Sequence, residues 1–282
     1  MSHHEAARHD QTVGVLGLGA MGAPIVRHLL DAEVPVVVLD LDDRAVSDAV
    51  ERGAKAVDDA ASLGGTSDVV LVIVPSDDDV RSVCLGQAGL LAQVSAGGTV
   101  LICSSVRPDT CGLLAEAAPA GVAVLDAALT GGVRGAVDGT INLLVGGDAT
   151  ALDAVCPQLD PWTKSVHHLG ELGAGQVGKT ANNLVHWAQI CAITEALELG
   201  RRWGIGVPAL RQALMDGPTD SRTLRELEQM RLTWHAKDLA NAVIMADAVA
   251  WELPVGRTAQ AVMPAITVER LARLLAGDDP DF

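Results

Sequence analysis

The chain has 282 residues, 49% of them hydrophobic and 20% charged, a composition that suits folded domains with a sizeable core and excludes a disordered chain. Its formal net charge of −16 argues against nucleic acid and anionic membranes as partners, because both require basic surfaces. The five cysteines are scattered without metal-ligand spacing, so we expect no metal site and a reducing, cytoplasmic environment.

The N-terminal residues are polar and lack the apolar core of a signal peptide, which predicts a disordered tail over residues 1–11. The longest apolar stretch, residues 181–197, is interrupted by Asn182, Asn183 and Glu195 among others, so it does not predict a membrane helix.

Short apolar runs alternate with helical patterns in the first half of the chain. The runs have strand length, are rich in β-branched residues and lie at 13–17, 36–40, 69–74, 99–103 and 122–126. Helical patterns lie between them, among others at 21–30, 44–52 and 109–118. This alternation predicts an α/β domain, residues 12–172, whose parallel sheet is covered on both faces and gains edge strands at 141–145 and 165–169.

From residue 173 to residue 282 the sequence predicts an all-helical domain. It begins with one long helix at 176–203, about 40 Å long, whose apolar middle must be surrounded by other elements. Further helices are predicted at 207–215, 220–234, 239–251 and 259–275.

A glycine-rich turn follows the first predicted strand and opens a helix. It consists of Gly17, Leu18, Gly19, Ala20, Met21 and Gly22. Gly17 allows the tight turn, Gly19 lets the main chain approach a pyrophosphate, and Gly22 lets the helix pack closely on the strand. This context indicates a Rossmann-type dinucleotide-binding domain.

Asp40 ends the second predicted strand and indicates which dinucleotide binds. A carboxylate there accepts hydrogen bonds from the adenosine ribose hydroxyls and repels a 2′-phosphate. Leu41 and Asp42 follow it, so no cation adjoins it, and Arg44 is the one nearby residue that could favour NADP. A solvated helix position is the simpler interpretation of Arg44, and the sequence therefore predicts NAD as the cofactor.

Two later motifs combine small and polar residues. Residues 126–132, DAALTGG, leave a strand with glycines whose N–H groups can bind a carboxylate, although a flexible loop is an equal alternative. Residues 173–183, GAGQVGKTANN, open the long helix and place Lys179 and Asn183 on one face. A lysine near a helix N-terminus opposes the helix dipole, which makes Lys179 a candidate functional residue.

A fourth motif, Lys237 followed by Asp238, opens a later helix. These four motifs, in this order between about residue 12 and residue 275, resemble the β-hydroxyacid dehydrogenase family. Its members include 3-hydroxyisobutyrate dehydrogenase, tartronate semialdehyde reductase and, more distantly, 6-phosphogluconate dehydrogenase. The resemblance implies that Lys179 is the catalytic acid/base and that Asn183 binds substrate. It also implies two sets of ligand contacts: Thr130, Gly131 and Gly132 at the substrate carboxylate, and Val74, Pro75, Ser105 and Lys237 at the cofactor.

The chain departs from the family pattern at three places. Thr130 stands where members usually have serine, and residues 102–105 read ICSS where the family usually has DMST. The segment between Met215 and Lys237 is shorter than usual and lacks the phenylalanine often found before the lysine. These departures bear on the identity of the substrate rather than on the type of reaction.

The motifs and the resemblance together predict an NAD-dependent oxidoreductase that transfers a hydride between NAD and a small anionic 3-hydroxy acid similar to 3-hydroxyisobutyrate. The alternatives are an imine reductase, which usually lacks the lysine, an NADPH-dependent reductase of the tartronate semialdehyde type, and a non-catalytic dinucleotide-binding protein. The apolar long helix and the resemblance also predict a homodimer or homotetramer in the cytoplasm, with neither nucleic acid nor membrane as a partner.

Overall fold

The computed structural model describes residues 11–277, so nearly all of the predicted tail, residues 1–11, lies outside the described residues. The chain forms two compact units, one extending to Lys179 and one beginning at Thr180. Between residues 11 and 277 no helix has the length and apolar character that crossing a membrane requires.

The first unit is built on one eight-stranded sheet in the order β3-β2-β1-β4-β5-β6-β7-β8. Its strands are β1 Val13–Leu16, β2 Val36–Leu39, β3 Lys55–Ala56, β4 Val69–Val72, β5 Thr99–Ile102, β6 Ala123–Thr130, β7 Ile141–Gly146 and β8 Thr163–Gly170. All neighbouring strands are parallel except β6 and β7. The predicted Rossmann-type α/β architecture is therefore confirmed.

Two apolar clusters form the core of this unit. Val69 and Leu71 of β4 belong to one cluster, and Val70 and Val72 belong to the other. Because successive strand residues point to opposite faces, the alternation places one cluster on each face of the sheet. The helices that cover the faces are α1 Gly22–Asp31, α2 Asp43–Glu51, α3 Ala60–Thr66, α4 Asp77–Cys84, α5 Pro108–Ala117, α6 Gly132–Val137 and α7 Ala149–Leu159, with a 3₁₀ turn at Leu90–Gln93.

Local capping fixes where several of these helices begin. The side chains of Asp42, Asp59, Ser76 and Asp148 each accept a hydrogen bond from a main-chain N–H in the first turn of α2, α3, α4 and α7 respectively. Such bonds satisfy donors that the first turn of a helix leaves without a partner. Pro108 begins α5, where its missing N–H costs nothing.

The predicted edge strands need one correction. The strand predicted at 141–145 is β7, which lies inside the sheet between β6 and β8, so only β8 forms that edge. The strand predicted at 122–126 extends to Thr130, because its second half pairs with β7 from Asp126↔Gly146 to Thr130↔Asn142.

The second unit is helical, as predicted. The long helix α8, Ala174–Arg202, begins in the first unit and ends in the second, and it is followed by α9 Val207–Met215, α10 Arg222–Arg225, α11 His235–Ala248, α12 Pro254–Val262 and α13 Val268–Ala276. Trp187, Ile190 and Leu197 of α8 pack in one cluster with Leu239 and Met263. The two compact units divide inside α8, after Lys179, and the first turn of α8 is bonded to Asp126 of β6.

Two predicted helices are wrong in this unit. Residues 220–234 contain only α10 and a 3₁₀ turn. The carbonyl oxygens of Leu224 and Arg225, which a longer helix would use, accept from the Arg211 guanidinium instead. Residues 259–275 are divided between α12 and α13. Pro264 cannot continue α12, and the Thr267 hydroxyl accepts from Arg270 N to begin α13.

Candidate active site

The parallel strands β1, β2, β4, β5 and β6 end at the same edge of the sheet. Predicted site residues lie at this edge, directly after or at the end of their strands: the glycine-rich turn after β1, Asp40 after β2, Val74 and Pro75 after β4, Ser105 after β5 and Thr130 at the end of β6. Ligands of open α/β sheets bind outside the carboxyl ends of the strands, so this edge is the candidate active site.

The glycine-rich turn has the geometry that a bound pyrophosphate requires. A Cβ atom on Gly17, whose φ is +100°, would collide with the Ile73 carbonyl, and one on Gly22 would collide with the Gly17 carbonyl. A Cβ atom on Gly19 would meet no atom within 4 Å, so the fold itself does not require glycine there. The open space at Gly19 and the N-terminus of α1, which no side chain of the described residues caps, fit a dinucleotide phosphate.

The Asp40 carboxylate is fixed beside this turn. One of its oxygens accepts a hydrogen bond from Leu18 N, and the other accepts from Asp42 N at 2.8 Å. The neighbouring side chains of Leu41 and Arg44 are exposed. The structure therefore holds a carboxylate next to the glycine-rich turn, where Rossmann-type domains place the adenosine ribose.

The main chain at Gly131 and Gly132 adopts positive φ angles, +111° and +66°, which favour glycine. The Thr130 hydroxyl donates to the Asn142 carbonyl oxygen of β7 at 3.0 Å, so its hydrogen is used inside the sheet. A Cβ atom on Gly132 would meet nothing within 4 Å. The groups of this loop that can hold a carboxylate are therefore main-chain N–H groups rather than the threonine hydroxyl.

The start of the helix that carries Lys179 is held by a buried carboxylate. Asp126 of β6 has no exposed surface, and its two oxygens accept from Gly173 N at 2.6 Å and from Gln176 N at 2.7 Å. Burial raises the pKa of the Asp126 carboxyl above its ordinary value, although the hydrogen bonds from these N–H groups lower it in part. Asp126 thus joins the first turn of α8 to the sheet.

Three polar residues of the site lie within the quoted motifs, but the sequence assigned no role to them: Asp126, Ser104 and Gln176. Each is more than nine-tenths buried although its type usually prefers the surface. Asp126 offered a signal, since it is the one charged residue of an otherwise apolar strand. The partners of Ser104 and Gln176 lie 30 to 72 residues away along the chain, so the local sequence gave no comparable signal.

The remaining predicted residues lie on α8 and α11. Lys179 is partly buried, and Asn183 follows it by one turn, where its Oδ1 accepts from Asn182 Nδ2 at 3.1 Å. Lys237 is exposed on the first turn of α11. Asn183 and Lys237 belong to the second unit, and their contacts with ligands stay predictions.

A Rossmann-type unit with an open glycine turn and a ribose-side carboxylate, followed by a helical unit, defines a dinucleotide-dependent dehydrogenase. Residues 12–170 match the NAD-binding domain of 6-phosphogluconate dehydrogenase, and residues 173–274 match the NAD-binding region of NADP-dependent 3-hydroxyisobutyrate dehydrogenase. The chain therefore belongs to the β-hydroxyacid dehydrogenase family. It is an NAD-dependent hydroxyacid dehydrogenase, as the sequence predicts.

Individual relatives agree with this assignment. The chain is 38% identical over 203 residues to 3-hydroxyisobutyrate dehydrogenase of Pseudomonas aeruginosa, covering 72% of this chain and 68% of that one. It is 32% identical over 259 residues to 2-hydroxy-3-oxopropionate reductase of Escherichia coli, covering 88% of each. The solved structure of Mycobacterium tuberculosis 3-hydroxyisobutyrate dehydrogenase with L-serine matches with a TM-score of 0.82 and 27% identity, over 90% of this chain and 93% of that one.

Proposed function

We propose that this enzyme oxidises a small 3-hydroxy acid with NAD, and that Lys179 is its general acid/base. The observation that carries the proposal is the family match over both units, together with the chemistry shared by the compounds in the relatives' names. 3-Hydroxyisobutyrate, L-serine and 2-hydroxy-3-oxopropionate each carry a carboxylate and a primary alcohol or aldehyde at C3. The substrate class is therefore a 3-hydroxy acid whose reacting carbon is a CH₂OH group.

The chain's own residues have to orient this substrate and move one proton. Main-chain N–H groups at Gly131 and Gly132 hold the carboxylate, and the Asn183 amide orients the hydroxyl or the carboxylate. Neutral Lys179 accepts the hydroxyl proton as the carbonyl forms, and its ammonium returns that proton in the reverse direction. The bound dinucleotide supplies the hydride acceptor, so the alcohol loses one hydride and one proton and becomes an aldehyde.

A substrate panel tests this proposal. Purified enzyme is assayed with 3-hydroxyisobutyrate, L-serine, glycerate and 3-hydroxypropionate, each with NAD and with NADP. We expect turnover of at least one acid with NAD. Absence of turnover for all four acids with either cofactor would refute the proposal.

A second candidate is the reduction of an aldehyde acid with NADPH. It is favoured by the Escherichia coli reductase, which the chain matches over 88% of both lengths. The same panel separates the two, because the second candidate requires the fastest turnover with glycerate and NADP, or with 2-hydroxy-3-oxopropionate and NADPH in the reductive direction.

We infer NAD rather than NADP from the charges around the end of β2. Asp40, Asp42 and Asp43 place three carboxylates there against the single cation of the exposed Arg44. A 2′-phosphate would meet a net negative site, whereas ribose hydroxyls can donate to Asp40.

Replacing Asp40 by alanine is expected to weaken NAD binding about 10- to 100-fold, since hydrogen bonds to a charged group contribute about 1.5–3 kcal/mol. The difference between the affinities for NAD and NADP should become smaller. Fluorescence titration with both dinucleotides measures the change. Asp42→Ala is the matched control, because it removes an equal charge and the α2 cap without removing the ribose contact. Faster wild-type turnover with NADP at equal low concentrations would contradict the assignment.

We also propose that the enzyme is a homodimer or homotetramer. The second unit exposes several large apolar side chains, among them Trp203 at 82% and Trp251 at 68%. Monomers rarely leave extensive apolar surface in water, and copies of the same chain would cover it. Analytical ultracentrifugation at micromolar concentration should give two or four times the chain mass of 29.1 kDa, and the mass of a single chain would contradict the proposal.

A further inference from the structure

The side-chain amide of Gln176 bonds to the main chain on both sides of Ser105. Its Nε2 donates to the Ser104 carbonyl oxygen at 2.9 Å, and its Oε1 accepts from Val106 N at 3.1 Å. Gln176 is only 2% exposed, so water does not compete for these bonds. The amide therefore fixes the main chain of the loop in which Ser105 lies.

The position of Gln176 is itself determined at the main chain. Gln176 N donates to the buried carboxylate of Asp126, which also binds Gly173 N, so the first turn of α8 cannot shift without breaking these bonds. Lys179 follows Gln176 by three residues, or about 4.5 Å of helix rise. One residue thus joins the first turn of the lysine helix to the Ser105 loop.

Ser104 extends the connection to the end of β4. Its hydroxyl accepts from Val74 N at 2.8 Å and donates to the Val72 carbonyl oxygen at 3.2 Å. Ser104 is 4% exposed. Val74 just after β4, the Ser105 loop and the first turn of α8 are therefore linked by consecutive hydrogen bonds.

We propose that Gln176 is a positioning residue that fixes the Ser105 loop and the end of β4 against the first turn of the Lys179 helix, and so sets the geometry of hydride and proton transfer. The inference rests on the proposed function, in which Lys179 moves the proton, and on the predicted place of Ser105 at the cofactor. Glutamine suits the task because a single side chain supplies the donor for Ser104 O and the acceptor for Val106 N. A displacement of about 1 Å in such a support can cost about 10²-fold in rate.

Gln176→Met tests the inference, because methionine has a similar length and neither donates nor accepts comparable hydrogen bonds. Two measurements are made. In the enzyme without ligands, hydrogen–deuterium exchange should become faster in the peptide that contains Val106. In the presence of the fastest-reacting acid of the panel, the single-turnover rate of NADH formation should fall about 10- to 100-fold, while the Kd of NAD changes less than about twofold.

Gln158→Met is the matched control, since Gln158 is a buried glutamine of the same unit that lies in α7, outside the site. It should leave both the exchange of the Val106 peptide and the single-turnover rate unchanged. If Gln176→Met does not fold, Gln176→Asn takes its place. Its amide is one methylene shorter and cannot reach both Ser104 O and Val106 N, so it should show the same pattern with a smaller loss of rate. Unchanged exchange and rate in the folded variant would overturn the inference, and so would a loss of rate explained by weaker NAD binding. Retained activity in Lys179→Met would refute the acid/base role of Lys179. The exchange measurement on Gln176→Met does not depend on that role and would still test whether Gln176 fixes the Ser105 loop.

Discussion

Lys179→Met is expected to lower kcat by about 10²–10⁴-fold, the range that general acid–base assistance typically provides. Methionine keeps the length and the apolar part of the side chain but cannot exchange a proton. The fold and the affinity for NAD should change little, because the glycine turn and Asp40 lie on other elements. Steady-state kinetics over a range of pH measures the effect, and the limb of the profile that belongs to Lys179 should disappear.

Lys164→Met is the control for this experiment, because Lys164 is an exposed lysine on β8, the last strand of the sheet. It should leave kcat and the pH profile unchanged. If Lys179→Met keeps more than about a tenth of the wild-type kcat, and product release does not mask the chemical step, another group moves the proton.

Two titratable neighbours of the predicted motifs are poor substitutes for Lys179. Cys103 follows β5, and burial raises the pKa of its thiol to about 12, so it stays protonated at neutral pH. His186 lies further along α8, where its Nδ1 is 2.9 Å from the Thr223 hydroxyl and its ring is tilted at 55° to that of Trp187, with the ring centres 4.8 Å apart. His186 therefore has the packed, structural surroundings that its apolar position in the helix indicates.

The sequence predicted the elements whose signals are local. Runs of valine, leucine and isoleucine between turn residues located the starts of five strands to within one residue, and the glycine spacing located the turn predicted to bind phosphate. The helix predicted at 259–275 failed although Pro264 was a local signal against it. The helix predicted at 220–234 is also wrong, and there the carbonyl oxygens of Leu224 and Arg225 accept from Arg211, a contact that the apolar spacing of the segment does not indicate.

The same distinction between local and non-local signals applies to the residues of the candidate site. Residues predicted to contact ligands through main-chain geometry, such as Gly19 and Gly132, carry a recognisable spacing. The residues that hold the site together do not, because Asp126 meets Gly173 and Gln176 across 47 and 50 residues of chain. Their role depends on β6 and the start of α8 being adjacent, which becomes visible only once the sheet is assembled.

Asp126→Ala is expected to reduce the free energy of unfolding by about 2–6 kcal/mol. The substitution leaves Gly173 N and Gln176 N buried without their acceptor, and each such loss costs about 1–3 kcal/mol. Water cannot readily replace the carboxylate, because Asp126 has no exposed surface and is tightly enclosed. A Cβ atom on either Gly146 or Gly175 would collide with its oxygens. Urea unfolding followed by far-ultraviolet circular dichroism measures the change.

Asp148→Ala is the matched control for Asp126→Ala. Asp148 also accepts from a helix N-terminal N–H, that of Ala151 at 2.8 Å, but it does so at an exposed position. Loss of an exposed cap costs about 0.5–2 kcal/mol, because water takes over the bond. Equal destabilisation by the two substitutions would show that burial adds nothing at Asp126. A larger loss at Asp126, accompanied by a fall in kcat that Asp148→Ala does not produce, is the result expected if this carboxylate anchors the helix that carries Lys179.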